Sequence, residues 1–200
     1  LKIREDIKLS FYTPEPQPMP VAGKLMGERI KSILDEKRIS YFPNHKVAEI
    51  GKNLIKFENG VVADYNLLIA VPPHVAPKVL KQANLCDESG FVPVDKDTLA
   101  TKFENVFAIG DCAAIKLANG AFLPKAGILA EEEAKVVVHN ILADIQISSE
   151  KRKFDGKGYC FIETGDGKAI RADGDFFAEP APSVIPQEAS EKTLEEKIEF

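Results

Sequence analysis

The sequence predicts an α/β fold with a mostly parallel sheet, helices on both of its faces and a small antiparallel β-meander. Three observations predict it. Residues 106–109 (Val-Phe-Ala-Ile) form a short apolar run ending in Gly110 and Asp111, and a strand apolar on both faces belongs in a helix-covered parallel sheet. Residues 65–71 form a second such run, ended by Pro72, Pro73 and His74. Between residues 7 and 64 the pattern reads strand, helix, strand and then three short strands, the order of a strand-helix-strand unit followed by a meander.

In chain order, Ile7, Leu9 and Phe11 alternate with polar neighbours as in a half-covered strand. Pro14, Pro16, Pro18 and Pro20 exclude both helix and central strand there and predict an extended loop. Glu15 lies near the strand end, where a nucleotide-binding unit carries the acid that holds ribose hydroxyls; an ordinary loop carboxylate is the alternative. Ile30, Ile33 and Leu34 give residues 27–38 the spacing of an amphipathic helix, with Lys37 and Arg38 in its last turn. Residues 39–42 read as the next strand, and 47–50, 53–57 and 61–64 as the meander, turning at Asn59-Gly60. His45 is expected on the surface and His74 as a turn cap. Residues 75–82 read as a short helix, and 91–95 and 98–100 as short strands leading to the Gly-Asp pair.

At that pair, Gly110 lets a ligand approach the backbone at a strand's carboxyl end, and Asp111 offers two acceptor oxygens to a hydroxyl. Residues 128–144 are helical, with Glu131, Glu132 and Glu133 in the first turns, where carboxylates suit the macrodipole. Pro124 and Gly127 shape an entrance whose free N–H groups point outward.

The totals narrow the function. Two hundred residues with 44% hydrophobic content can bury a core, and a net charge of -5 without long like-charged blocks points away from nucleic acid. No apolar run approaches the roughly 20 residues of a membrane span, and the charged opening residues 1–6 do not read as a signal peptide. Cys86, Cys112 and Cys160 are an odd, sparse set without CxxC spacing; that predicts a reducing, cytoplasmic setting and no disulfide framework. Cys86 and Cys112 are expected to be inert thiols, and no metal ligands are assigned.

Residues 101–111 followed by 123–141 resemble the second flavin-binding segment of the FAD-dependent pyridine nucleotide-disulfide oxidoreductase superfamily. Within it they look most like the sulfide:quinone oxidoreductase group, with flavocytochrome c sulfide dehydrogenases and type II NADH dehydrogenases as neighbours. The resemblance implies an incomplete FAD/NAD(P)-binding Rossmann-like, three-layer fold. Residues 1–71 would be the second half of an NAD(P)-binding-like domain, 72–150 the C-terminal part of an FAD domain, and 151–200 a C-terminal strand and helix region. It implies that Gly110 and Asp111 meet the ribityl chain of FAD, and that Lys125, Ala126 and Gly127 face the pyrimidine edge of the isoalloxazine. A positive helix end beside a lysine suits the negative charge of reduced flavin. No G-x-G-x-x-G string occurs and the chain opens without Met, so it is expected to be a C-terminal part that does not retain FAD alone.

Around Cys160, Tyr159, Phe161 and Glu163 alternate with Cys160 and Ile162 as on a strand. In the resemblance this strand supplies one member of a catalytic cysteine pair, which receives sulfide sulfur and passes two electrons to FAD; a core cysteine is the alternative. Gly165-Asp166-Gly167 reads as a hairpin turn into residues 168–172, residues 180–186 as irregular, and residues 191–200 as a charged helix too acidic for a strong anionic-lipid binder. Phe176 and Phe177 are candidates for an apolar lip on the quinone side. The expected activity is two-electron transfer from sulfide through flavin to a quinone; an NAD(P)H:quinone dehydrogenase and a non-catalytic flavin-binding module are the alternatives. The resemblance adds a peripheral place on the cell membrane and allows a homodimer.

Overall fold

The computed structural model describes residues 6–147 and 150–199; residues 1–5 of the charged opening and Phe200 of the closing helix lie outside the described residues. Two compact units meet at the bond between Pro72 and Pro73.

In the first unit, β1 (Leu9–Tyr12) and β2 (Ile39–Phe42) run parallel, with Leu9 opposite Ile39 and Tyr12 opposite Phe42. The helix between them, α1 (Gly23–Glu36), starts a turn earlier than its hydrophobic spacing predicts, because Pro20–Ala22 already coils as a 3-10 turn that feeds it. The meander is β3 (Val47–Ile50), β4 (Leu54–Phe57) and β5 (Val62–Asp64), all antiparallel. Its second turn uses Gly60 at φ +84°, and Asn59 Oδ1 accepts the Val61 N–H at 3.1 Å.

An aromatic cluster joins the parallel pair to the meander. Tyr12 stacks on Phe42 at 4.6 Å and on Phe57 at 4.7 Å, and the His45 ring stands edge-on to all three. Such ring pairs contribute about 0.5–1.5 kcal/mol beyond their buried area. His45 donates from Nδ1 to the Pro43 carbonyl at 2.6 Å, so it is a packing residue rather than the surface histidine expected. Glu15 is exposed in the proline-rich loop, where its carbonyl accepts the Asn44 N–H at 3.0 Å.

The apolar run 65–71 is not a buried strand. It pairs with no strand among the described residues, and Leu67, Ile69 and Val71 are 79%, 88% and 83% exposed. A strand is buried only where neighbouring strands and helices cover it, and this unit's own sheets offer none.

The second unit contains α2 (Lys78–Gln82), then β6 (Val92–Pro93) paired in parallel with β7 (Ala113–Ala114). Residues 106–109 lie between them with one bridge, Ala100 to Phe107. Val106 is exposed and Phe107, Ala108 and Ile109 are half-buried, so the expected doubly covered strand is absent for the same reason. The long helix α3 (Gly127–Asp144) buries Leu129, Glu133, Val136, Val137 and Asn140 along one stripe. Glu131 and Glu132 lie beyond its first turn, where both pair with Lys135 at 2.8 and 2.7 Å.

A three-stranded antiparallel sheet follows: β8 (Lys157–Gly165), β9 (Lys168–Asp175) and β10 (Ser183–Pro186), in the order β10-β9-β8. The predicted irregular stretch 180–186 therefore contains a strand; β9 supplies the ladder that orders it. The closing helix α4 (Glu191–Glu199) is capped by Ser190 Oγ, which accepts the Thr193 N–H at 3.0 Å, and is tied to the sheet by the Lys197–Glu163 ion pair. Among the described residues no helix is long and apolar enough to cross a membrane.

Phe177 stands edge-on to the buried Phe154 at 5.4 Å and Lys96 lies over its ring, so Phe177 packs within the unit instead of forming an exposed lip. Gly156 makes room for that ring: at φ +69°, an added Cβ would lie 2.4 Å from Phe177 Cγ. Gly156→Ala is accordingly expected to destabilise the protein by roughly 1–3 kcal/mol through overpacking. The measurement is the chemical-denaturation midpoint, and an unchanged midpoint would contradict this packing.

Candidate active site

Two short segments are brought together in the second unit. After Ile109 the chain makes a single 3-10 turn, Gly110–Cys112, with Gly110 at φ +66°. Turn and helix approach so closely that a Cβ on Gly110 would lie 3.3 Å from Ala130 Cβ. The Gly110 N–H donates to Glu133 Oε2 at 2.5 Å. Gly110, Lys125, Ala126 and Glu133 thereby line one narrow cleft of about 10 Å³, room for about one water. Asp111 and Gly127 are exposed beside it, and no side chain caps the first amides of α3.

Lys125 is held rather than solvated. Its ammonium donates to the Ala113 carbonyl and stands 4.4 Å from the centre of the Phe91 ring, a cation–π contact. Burial pushes the ammonium's pKa down, and Asp111, Cys112 and Glu133 oppose the shift. Glu133 is only 3% exposed. Burial raises its pKa, the Gly110 N–H and Lys125 lower it, and Asp111 adds to the rise. The small space thus concentrates an ammonium, a buried carboxyl and a peptide amide around a helix entrance of positive potential.

Cys160 does not line this cleft, but its strand touches the same helix. It lies on β8 opposite Ala172, and Gly158 lies opposite Gly174. A Cβ at Gly158 would sit 2.5 Å from Leu129 Cδ2, so the glycine lets β8 press on the first turn of α3. Tyr159 and Phe161 meet at 5.5 Å, Arg171 covers Tyr159 at 4.1 Å, and Glu163 pairs with Lys197. That leaves Cys160 on the other face of the strand. The thiol is half-buried, and burial with a smaller push from Asp173 raises its pKa above that of an ordinary thiol. Cys86 and Cys112 are also free thiols, and Cys112 Sγ donates to the Ile109 carbonyl at 3.3 Å.

A larger cavity of about 510 Å³ opens where α3 meets the three-stranded sheet, lined by Ile128, Lys157, Tyr159, Asp173 and Ile185 among others. Sequence reasoning missed this cavity, because its walls come from distant segments. It also missed Phe91 beneath Lys125, and it grouped Glu133 with Glu131 and Glu132 as carboxylates that suit the macrodipole. A signal for Glu133 was available: counting from Leu129 in steps of four and three reaches Glu133, Val136 and Asn140, so a carboxylate occupies a position on the apolar stripe.

The sequence from residue 13 to 134 matches the profile of the pyridine nucleotide-disulphide oxidoreductases. The chain is 30% identical over 194 residues to the mitochondrial sulfide:quinone oxidoreductase of Schizosaccharomyces pombe, covering 91% of this chain and 40% of that protein. Over 90 residues it is 37% identical to a coenzyme A disulfide reductase of Staphylococcus aureus, 44% of this chain and 20% of the relative. The crystal structure of sulfide:quinone oxidoreductase from Aquifex aeolicus superposes with a TM-score of 0.84 at 22% identity, covering 99% of this chain and 49% of that one. The chain spans about 40% of the length of the first of these relatives. The mixed α/β architecture with its small antiparallel sheets is a partial FAD/NAD(P)-binding fold.

The raised thiol pKa gives a direct expectation. Because the thiolate is the nucleophile, alkylation of Cys160 by iodoacetamide is expected to be slow at neutral pH and to rise roughly tenfold per pH unit through the range where an ordinary thiol already levels off. Peptide-resolved mass spectrometry checks this, and a rate already level between pH 7 and 8 would contradict it.

Proposed function

Because the chain belongs to the pyridine nucleotide-disulphide oxidoreductase family, we propose that it is the C-terminal part of an FAD-dependent enzyme that oxidises sulfide and reduces a quinone. The observation that carries the reading is the contact between β8 and α3. Gly158, two residues before Cys160, lies against Leu129 in the first turn of the helix whose entrance holds Lys125, Ala126 and Gly127. A thiol strand and a helix mouth suited to negative charge therefore adjoin.

The residues present fit a flavin. The uncapped amides of α3 and the half-buried Lys125 ammonium supply positive potential at one edge. Asp111 is exposed at the adjoining turn, open to accept a hydroxyl. The cleft behind them is too small for a ring system, so Gly110, Asp111, Lys125, Ala126 and Gly127 would hold the cofactor at the mouth of the cleft. When bound, FAD supplies a two-electron acceptor.

Cys160 acts with a second cysteine, expected from the part of the longer relatives that this chain does not span. With the pair as a disulfide, sulfide would bond to one cysteine as a persulfide while the S–S bond breaks and the other cysteine leaves as a thiolate; bound FAD would supply the acceptor for the sulfur's two electrons, and the quinone, taking up two protons, would be their final acceptor. Lys125 and the helix amides stabilise the negative charge carried between those events. The cavity of about 510 Å³ between α3 and the sheet is within the size range of small-molecule sites, and Ile128, Tyr159 and Ile185 offer apolar walls to a quinone ring. One observation favours the second reading, an NAD(P)H:quinone dehydrogenase of the same architecture: the buried Cys160 thiol is poorly disposed to ionise.

Anaerobic mixing of the full-length protein with sulfide tests the choice. Bleaching of the flavin band by sulfide, reduction of a ubiquinone analogue, and loss of both in Cys160→Ser with FAD still bound are the expected results. Bleaching by NADH and not by sulfide would sink the sulfide reading in favour of the dehydrogenase. The 200-residue chain purified alone is expected to be colourless; a yellow preparation with a flavin band would contradict that.

A further inference from the structure

Glu133 has no part in the reaction described above, yet it occupies an expensive position. A carboxylate taken out of water costs several kcal/mol unless it is paired, and an apolar side chain would complete the stripe of Leu129, Val136 and Val137 at no such cost. Its burial, the 2.5 Å bond from the Gly110 N–H and the cleft it shares with Lys125 and Ala126 converge on one turn.

We propose that Glu133 is a positioning residue of the flavin site, clamping the Gly110 amide, and with it the Asp111 turn, to α3 while serving as counter-ion to Lys125. The inference rests on the flavin reading above. Gly110 has no side chain to lock the turn and stands at φ +66° against Ala130, so an amide hydrogen bond to the helix is the restraint its backbone can offer. Lys125 is half-buried with its ammonium on a carbonyl and an aromatic face, both of them neutral partners. The charged or titratable groups that face the carboxyl are Lys125 and Asp111, and Cys112 adds to those acting on the lysine. Glu131 and Glu132 are held by Lys135 on the exposed side.

The sign of the pH effect follows. Burial keeps the Glu133 carboxyl protonated to higher pH than an ordinary carboxyl. As pH falls through that range the clamp keeps its hydrogen bond but loses its charge, and Lys125 loses the part of its counter-charge that Glu133 supplies beside Asp111. Added positive potential at the flavin edge stabilises the reduced cofactor, so the flavin potential becomes more positive.

The test uses the full-length holoprotein with Glu133→Gln, which keeps an acceptor for Gly110 without the charge, and Glu133→Met, which keeps neither. The glutamine variant is expected to retain FAD as tightly as the native protein. Its midpoint potential should lie above the native one at neutral pH and lack the native inflection with pH. The methionine variant is expected to hold FAD roughly tenfold more weakly, the loss of one charged-acceptor hydrogen bond. Identical potential-against-pH curves for the native and glutamine proteins, or native FAD affinity in the methionine variant, would overturn the proposal. Selective 15N-glycine labelling gives a readout without flavin: the Gly110 amide should titrate with acid in the native protein and stay flat in Glu133→Gln. If the protein binds no flavin, the flavin reading fails by itself, and the glycine titration still decides the clamp, a flat native profile counting against it.

Discussion

One face of α3 constrains everything that matters in the second unit. Leu129 meets the strand of Cys160 through the space left by Gly158. Glu133 takes the amide of Gly110. Asn140, 2% exposed, holds the segment entering the sheet, accepting the Arg152 N–H at 2.7 Å and donating to its carbonyl at 3.0 Å. Two stretches distant in sequence, the Gly110 turn and residues 152–158, are thus indexed to one helix by three links. Two of the three links are polar, and polar links fix register more sharply than apolar contacts, because a buried partner left unpaired costs about 1–3 kcal/mol.

That arrangement places unlike chemistries side by side. The helix entrance is a region of positive potential reinforced by a half-buried lysine held on a carbonyl and an aromatic face. The strand that crosses the same first turn carries a thiol whose burial keeps it protonated. A site that takes electrons from a soft nucleophile needs both a resting thiol that is not indiscriminately reactive and a place to hold negative charge. On the function proposed above, the two would be met by Cys160 and the entrance of α3.

The two units differ in how they hold together. In the first, stacked rings of Tyr12, Phe42 and Phe57 around His45 stand beside the buried Ala22, Met26 and Ile55. In the second, polar ties dominate at the edges: Asp97 pairs with Lys153 at 2.8 Å and its carbonyl accepts the Phe154 N–H, and Asp95 accepts the Thr98 N–H and Oγ1, each at 2.8 Å. Those hydrogen bonds lower the Asp95 carboxyl's pKa, so ionised Asp95 favours the fold above the ordinary carboxylate range and loses that effect as acid protonates it.

Local chemistry in the sequence determined most elements. Period and turn residues located α1, α3, the meander at Asn59-Gly60 and the hairpin at residues 165–167, because backbone sterics and amphipathic spacing act over a few residues. Gly110 and Asp111 read locally as a ligand approach at a strand end, and Pro124 and Gly127 as a helix entrance; that they serve one ligand is what the family resemblance implied. Only the tertiary structure decided which apolar runs are covered. Residues 65–71 and 106–109 have the composition of central strands, but burial depends on what lies beside them: among the described residues the first run is left exposed and the second only half-covered. Only the fold, likewise, set Phe91 under Lys125 and brought Gly158 against Leu129 across 29 positions of chain. Those are relations between distant side chains, which no short window of sequence contains.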